Sequence, residues 1–216
     1  MLVESAGERL LVDCGPDVRQ QLLKAGVGDV DAVIVTHDHA DHCHGIDELR
    51  PIAQRRGPVP LHGRSDVLER LRQRFEYAFA GSGFYSPIVE ARRVEQELTF
   101  GQAAIRFVDQ PHGEVTSLGL RIDEKGRSAV YAIDFNAMPP DVLELYEGAN
   151  VLISDCLQRR PHATHAHLEA VLGWAKDLRV GQLFLTHMNA SMDYATLARE
   201  LPDWAAPAYD GLEIEL

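Results

Sequence analysis

The sequence predicts a layered α/β or α+β domain, and three observations support that fold class. Four short apolar runs have the length and the β-branched or aromatic content of buried strands. Segments whose apolar residues recur at helical spacing lie between these runs. With 216 residues, of which 45% are hydrophobic and 25% charged, the chain can bury its own core and has a globular composition. We therefore expect one domain over residues 1–216.

Each predicted element rests on a local pattern of apolar residues. Continuous apolar runs indicate buried strands, and alternating segments indicate half-exposed ones, which gives strands at 32–35, 98–100, 105–108, 128–133, 150–153 and 182–185. Capping residues or initial prolines mark the helices. The helices are expected from Ser65 through Phe79, after Pro139-Pro140, from Leu168 to Leu178, and from Asp193 through Leu201.

Charge and cysteine content exclude several classes of protein. The chain has 21 basic and 33 acidic residues, a formal charge of −12, which disfavours a long phosphate polymer as the main partner. Its three cysteines, Cys14, Cys43 and Cys156, are odd in number and lack paired spacing, so we expect no disulfide framework and a reducing compartment. No signal peptide or long apolar run is visible, and we expect a cytoplasmic protein.

A polar side chain able to bind metal or transfer a proton follows each of the four buried runs. These are His37, Asp134, Asp155 and His187. Open sheets place ligand sites at the carboxyl edge of their strands, so we expect these side chains to form a site. Polar residues that simply begin loops could explain one or two such cases, but not four of this kind.

The strongest local signal is His37-Asp38-His39-Ala40-Asp41-His42, directly after a predicted strand. Imidazole nitrogens suit zinc, iron, nickel and copper, and carboxylates add affinity for harder ions such as manganese. An extended loop directs His37 and His39 to one side, and a following helix would bring Asp41 and His42 to a neighbouring point. This spacing favours two adjacent ions. The alternative is a solvated loop that chelates metal loosely.

This motif resembles the HxHxDH signature of the metallo-β-lactamase superfamily of dinuclear hydrolases. The family's further ligands have counterparts in the expected order, namely His112, Asp134 and His187. Asp13 matches the aspartate of the family's first motif, which supports the ligands. The resemblance covers nearly the whole chain. It implies an αββα sandwich of two facing, mainly antiparallel sheets with helices outside and a dinuclear metal site at the strand ends.

The resemblance also implies two divalent ions per chain, zinc and/or manganese, with iron as an alternative. Each ion would have three ligands of its own, and one carboxylate would be shared by both ions. The first ion would take His37, His39 and His112, the second Asp41, His42 and His187, and Asp134 would bridge them. Seven protein ligands leave room for a bridging water, as a catalytic site requires.

Pro161-His162-Ala163-Thr164-His165 is similar to the PHxTH element of the PhnP-type phosphodiesterases, which hydrolyse ribosyl cyclic phosphates. Segments 47–50 and 208–212 are also similar to that branch. In it, and in the ribonuclease Z group, a histidine of this region lies near the scissile phosphate. We assign His165 to that role and count Asp41 as a second catalytic residue. His162 and His167 are the alternatives to His165, and His167 suits packing or capping better.

The expected function is hydrolysis of small, cyclic phosphodiesters by a metal-bridging hydroxide, with His165 as general acid for the leaving alkoxide. Two alternatives stay open: a lactone, thioester or cyclic-nucleotide hydrolase of the same fold, and a non-catalytic relative that binds metal or ligand. The first edge strand is expected to be shortened. No long basic arm for binding transfer RNA is visible, so we expect a small substrate and no long nucleic acid. We also expect no membrane partner, and a homodimer is possible.

Overall fold

A computed structural model describes all residues, 1–216, and divides them into two compact units, Met1–Gln102 and Ala103–Leu216. Each unit has its own sheet, its own helices and its own buried apolar cluster. The prediction of a single domain over 1–216 stays a prediction. No helix combines the length and the apolar character that a bilayer crossing would require.

The first unit is built on a mixed sheet in the order β1-β2-β3-β4-β5. Its strands are β1 (Leu2–Ser5), β2 (Glu8–Val12), β3 (Ala32–Ile34), β4 (Val59–Gly63) and β5 (Val89–Arg93), and β6 (Glu97–Phe100) follows. Its helices are α1 (Val18–Lys24), α2 (Ala40–Cys43), α3 (Arg50–Arg56), α4 (Ser65–Arg74) and α5 (Glu76–Ala80), with a 3-10 helix at Ile46–Leu49. Strands β2 to β5 run parallel, so their carboxyl ends lie at one edge.

The second unit contains the longer strands. They are β7 (Ala103–His112), β8 (Val115–Glu124), β9 (Arg127–Ala132), β10 (Val151–Asp155), β11 (Gln182–Thr186) and β12 (Ala205–Pro207), in the order β12-β11-β10-β9-β8-β7. Its helices are α6 (Pro140–Tyr146), α7 (Leu168–Asp177) and α8 (Tyr194–Glu200). Strands β9 to β12 are parallel, whereas β7, β8 and β9 form an antiparallel meander.

The apolar runs of the sequence form the two cores. In the first unit, Val33 and Leu61 on adjacent strands are fully buried with Leu71 of α4. In the second unit, Leu152 and Leu183 on adjacent strands are fully buried with Val171 of α7. Strands buried on both faces read as continuous apolar runs, which is why the sequence located them.

The expectation of mainly antiparallel sheets is wrong. Both sheets are mixed, because the chain returns through a helix or a long connection between most successive strands, and such crossovers make neighbours parallel. The helix predicted from Ser65 through Phe79 is two helices, broken at Phe75, whose backbone (φ −122, ψ 43) leaves the helical region. Its N-cap is Arg64, and Ser65 is the first helical residue.

Candidate metal centre

The histidine-rich loop gathers its four predicted ligands within the first unit. His37 follows β3 and is buried, and its ring lies 4.5 Å from that of His39 and 4.3 Å from that of His42, measured between centroids. The helix α2 turns the chain so that the Asp41 carboxylate lies 3.4 Å from Nε2 of His42. The Asp41 side chain is 60% exposed. The predicted tightening of the loop into a helix is therefore present.

Asp13 fixes the orientation of this loop from the end of β2. Its carboxylate accepts hydrogen bonds from the Thr36 amide (2.8 Å) and hydroxyl (3.0 Å), and from Nδ1 of His42 (2.8 Å). The Thr36 hydroxyl, having donated its proton, can accept from Nδ1 of His37 (3.1 Å). Both histidines therefore present Nε2 for a metal. A carboxylate behind a histidine ligand commonly orients the ring in this way.

Asp38 has a role that the sequence did not reveal. Its carboxylate pairs with Arg70 Nε (2.9 Å) and Arg74 (2.9 Å) of α4, and Arg74 also donates to its backbone carbonyl (2.5 Å). Burial opposes its charge, but the hydrogen bond and charge of Arg70 and the charge of Arg74 outweigh burial and lower the pKa of Asp38. Asp38 thus anchors the loop to α4, and no local motif indicates a partner more than 30 residues away.

Two glycines let this loop approach the turn after β2. A Cβ on Gly15 would overlap the Asp41 carbonyl oxygen, and a Cβ on Gly45 would overlap that of Gly15. The amide of Gly45 also donates to the Cys14 carbonyl at 2.8 Å. The position of the metal loop therefore depends on the absence of side chains at both glycines.

We expect Gly45→Ala to destabilise the protein by about 1–3 kcal/mol, the usual cost of forcing a methyl group into a packed site. Its new Cβ would lie 2.6 Å from Val18 and 2.9 Å from the Cys14 carbonyl oxygen, in addition to the overlap with Gly15. Urea unfolding measures the change. Gly28→Ala is the matched control, because nothing lies within 4 Å of its Cβ. Equal stabilities of the two variants would contradict the close approach.

In the second unit, four strands of the sheet, β7, β9, β10 and β11, each place one polar side chain at the same edge. His112 ends β7, Asp134 follows β9, Asp155 ends β10 and His187 follows β11. The two Asp134 oxygens face different histidines: Oδ2 lies 3.4 Å from Nε2 of His112, and Oδ1 lies 3.3 Å from Nε2 of His187. His112 donates from Nδ1 to the Thr164 carbonyl at 2.8 Å, which leaves Nε2 for a metal.

Asp155 was expected at the site from its strand-end position, but no particular role was predicted for it. It is fully buried, and Oδ2 accepts from Nδ1 of His165 at 2.8 Å and from the Phe135 amide at 3.4 Å. Its Oδ1 lies 3.6 Å from Nδ1 of His187. Polar atoms of Asp134, Asp155, His165 and His187 all lie within 4.8 Å of one another, an arrangement that could hold a metal ion. Its position at the end of an apolar run was the available signal.

The two alternatives to His165 lie in different surroundings. His162 is exposed, its ring centroid lies 5.3 Å from that of His165, and its Nδ1 is 3.3 Å from the Thr164 amide. His167 is the N-cap residue of α7, but its side chain makes no capping hydrogen bond. The ring of His165 lies 4.8 Å from that of His112 and stacks on that of His187 at 5.1 Å. Of the three, His165 has the contacts with predicted ligands.

A buried polar network holds the backbone of Asp134, whose φ of 50° is uncommon for a residue with a side chain. The Ser117 hydroxyl lies 2.9 Å from the Ile133 carbonyl oxygen and 2.7 Å from that of Asp134. The Gln110 amide donates to Ser117 and to Ile133, both at 3.0 Å. Tyr146 donates to the Gln110 side-chain oxygen at 2.5 Å, and burial raises the pKa of Tyr146 well above its usual value, which keeps the hydroxyl a donor.

We expect Tyr146→Phe to cost about 1–3 kcal/mol of stability, because it leaves the buried Gln110 oxygen without its donor. Differential scanning calorimetry of metal-free protein measures the loss. Tyr85→Phe, at an exposed tyrosine, should change stability by less than about 0.5 kcal/mol. Unchanged stability of Tyr146→Phe would mean that the network does not brace the turn at Asp134.

The three cysteines take no part in either cluster. All are free and buried. Burial raises the pKa of Cys43 to about 11 and of Cys156 to about 12, and it raises that of Cys14 further. No cysteine belongs to the groups of side chains that could hold a metal ion, which contain only histidine and aspartate. Nitrogen and oxygen donors therefore make up both clusters, and this donor set suits zinc, manganese or iron.

Comparisons with known proteins agree with this chemistry. Residues 8–188 match the β-lactamase superfamily domain. A crystal structure of a new diphosphatase from the PhnP family is 31% identical, covers 98% of this chain and 80% of its own, and superimposes with a TM-score of 0.88. A ribonuclease Z of Methanopyrus kandleri is 26% identical over 100% of this chain and 90% of its own length. An octanoyltransferase of Porphyromonas gingivalis is 29% identical over 99% of this chain, which spans 43% of that relative.

The chain therefore belongs to the metallo-β-lactamase superfamily. It is a metallo-hydrolase of that fold, and the similarity to the PhnP-family structure confirms the resemblance to that branch. The predicted fold class is confirmed as well, as an α/β sandwich with two mixed sheets and helices.

Proposed function

We propose that this chain is a dinuclear metal-dependent phosphodiesterase that acts on small, cyclic phosphodiesters such as ribosyl cyclic phosphates. In this proposal, residues of both clusters are assigned to one dinuclear site, because their motifs follow one another along the chain in the order typical of the family. The ligands of the first ion are His37, His39 and His112, those of the second are Asp41, His42 and His187, and Asp134 is shared. Zinc and manganese both suit this donor set.

The observation that carries the proposal is the pair formed by Asp155 and His165 beside Asp134 and His187. A carboxylate fully buried behind a histidine keeps the proton on the nearer ring nitrogen. Nε2 of His165 is then the nitrogen that exchanges a proton with substrate. Phosphodiester cleavage expels an alkoxide, which needs such a donor more than the leaving group of a lactone does.

In the second unit, Asp134 would serve metal binding and His165 would serve proton transfer. Divalent ions, when bound, neutralise phosphate charge and activate a water near neutral pH. Asp134 would position them through its two oxygens, which already face His112 and His187. Asp155 orients His165, and its negative charge stabilises the protonated ring before the proton is transferred. His165 would then donate from Nε2 to the leaving oxygen.

Diphosphate hydrolysis is a second candidate, favoured by the similarity to the PhnP-family diphosphatase. Its leaving group is itself a phosphate, which departs without full protonation and therefore depends less on His165. Both reactions use the same cations to neutralise phosphate oxygens. The substrate panel below includes diphosphate esters so that the two candidates are distinguished by their products.

Hydrolysis of bis-p-nitrophenyl phosphate by protein supplied with manganese or zinc is the first test of the function. A panel of ribosyl cyclic phosphates, diphosphate esters, a lactone and a thioester then identifies the reaction, with metal analysis of the protein as purified. We expect release of p-nitrophenolate and opening of the cyclic phosphates. Turnover of the lactone or thioester alone would contradict the proposal, and two bound ions without turnover of any substrate would indicate a non-catalytic relative.

A further inference from the structure

The strand β5 forms an open edge of the sheet in the first unit. The strand order β1-β2-β3-β4-β5 places it last, so it pairs with β4 on one side and with no strand of that sheet on the other. The Val94 amide donates to the Gly63 carbonyl of β4 at 3.0 Å, which directs the even-numbered residues of this segment towards β4. Because backbone groups alternate along a strand, the amides and carbonyls of Val89, Ala91 and Arg93 are directed to the open edge.

The exposed side chains of β5 carry opposite charges two positions apart. Glu90 and Arg92 project from the same face of the strand, because side chains alternate, and their charged groups lie 2.8 Å apart. The Glu90 side chain is 53% exposed and that of Arg92 is 54% exposed. An ion pair so exposed contributes little to the stability of a single chain. Both charges are therefore available to a second strand.

Two copies of β5 would match these charges if they paired in antiparallel fashion about a two-fold axis at Ala91. In that register Ala91 lies opposite its own counterpart, and Glu90 lies opposite the partner's Arg92 on both sides of the axis. The outward backbone groups of each strand also lie opposite one another, so they can form hydrogen bonds. An axis one residue to either side would place Glu90 opposite Glu90 or Arg92 opposite Arg92, which is destabilising. The charge pattern therefore selects one register.

A cleft beside the open edge accommodates a side chain of the second strand. It has a volume of about 800 Å³, and its lining includes Val89 and Ala91 of β5 and Glu76 and Phe79 of α5. The Val89 side chain packs in the buried cluster that the helices cover, so the cleft lies on the helical face of the sheet. In the register above, Arg93 lies opposite the partner's Val89 on this same face. Its guanidinium would lie at the partner's cleft, where Glu76 supplies a negative charge and Phe79 an apolar surface for the stem.

We propose that β5 is a dimerisation strand, through which two copies of this chain join the sheets of their first units into one continuous sheet. The partner is a second copy because the charge pattern of β5 is complementary to itself. This inference does not depend on the proposed function, since β5 contains no predicted metal ligand or proton donor. Pairing along one short strand makes a small interface, so the dimer should form reversibly.

Sedimentation velocity of the full chain, at concentrations from about 1 to 200 µM, tests the proposal. The wild type should form a reversible dimer. Glu90→Arg and Arg92→Glu each place like charges opposite one another, and each should raise the Kd of dimerisation by roughly 10- to 100-fold. An equimolar mixture of the two variants should restore the dimer, because both arginines of one chain then lie opposite both glutamates of the other. Asp177→Arg, an equal charge change on an exposed residue of α7, is the matched control and should keep the wild-type Kd.

Ala91→Pro tests the backbone pairing itself. It removes an amide proton that is directed away from β4, so the chain keeps its own sheet while the dimer loses a hydrogen bond at the axis. Circular dichroism and urea unfolding check that the variant folds, and it should then be monomeric over the whole concentration range. If Ala91→Pro does not fold, the two charge variants and their mixture decide the question.

A wild type that is monomeric at every concentration would overturn the proposal. The charges of β5 would then serve to protect the open edge from association. A dimer that persists in folded Ala91→Pro, or a mixture of the charge variants that stays monomeric, would likewise overturn the pairing of β5 with itself.

Discussion

Asp134→Ala should abolish the binding of both metal ions and reduce hydrolysis to background. The Asp134 carboxylate lies between two predicted ligands, with one oxygen facing His112 and the other facing His187. A residue that touches both ions supports both sites, so its loss weakens them together. Inductively coupled plasma mass spectrometry of the purified variant measures the metal content, and bis-p-nitrophenyl phosphate measures the activity.

The backbone at Asp134 requires a second variant, because alanine is strained at a φ of 50°. Asparagine tolerates this conformation and keeps the shape of the side chain while removing its charge. Asp134→Asn should therefore fold like the wild type and still lose most of its metal. Asp177→Ala, at an exposed acidic residue of α7, should keep both metals. Two tightly bound ions per chain in Asp134→Asn would remove the bridging assignment.

The predicted site residues belong to dense local motifs or to strand ends. His37, His39, Asp41 and His42 lie within six consecutive positions, and their spacing alone predicts that their side chains meet. Asp134 was indicated by its position after a buried apolar run, whereas His112 needed the family pattern, since a lone histidine carries no signal of its own. The apolar runs located β3, β9, β10 and β11 because strands buried on both faces have few polar residues.

Features that depend on distant partners could not be predicted from local patterns. Asp155 was visible as a strand-end acid, but its proposed role arises from its contacts with His165 and His187. The sequence does not reveal how the intervening chain brings these histidines back to Asp155. In the sequence, Asp38 is only a residue between two predicted ligands; its ion pairs with Arg70 and Arg74 of α4 are visible only in the structure. The direction of the strands depends on how each connection crosses the sheet, and periodicity does not encode that choice.

His165→Ala should keep both metals and slow the cleavage of an ester with a poor alkyl leaving group by roughly 10²–10⁴, the usual contribution of a general acid. With p-nitrophenolate as the leaving group, the loss should be much smaller, because this anion departs without a proton. The measurement is the ratio of kcat for methyl p-nitrophenyl phosphate and for a dialkyl phosphate in each variant. His162→Ala is the matched control, because His162 is a neighbouring but exposed histidine.

Asp155→Asn should show the same dependence on the leaving group, because Asp155 acts through His165. An amide in place of the carboxylate no longer stabilises the protonated ring, and it allows the opposite tautomer at Nδ1. The substitution could also disturb His187 as a metal ligand, because Nδ1 of His187 lies 3.6 Å from Asp155. Measuring the metal content of Asp155→Asn distinguishes that disturbance from an effect on His165. Equal losses for good and poor leaving groups in His165→Ala would mean that His165 binds phosphate and does not donate a proton. Unchanged rates with both esters would remove His165 from the mechanism and favour the lactone and thioester reactions over phosphodiester cleavage.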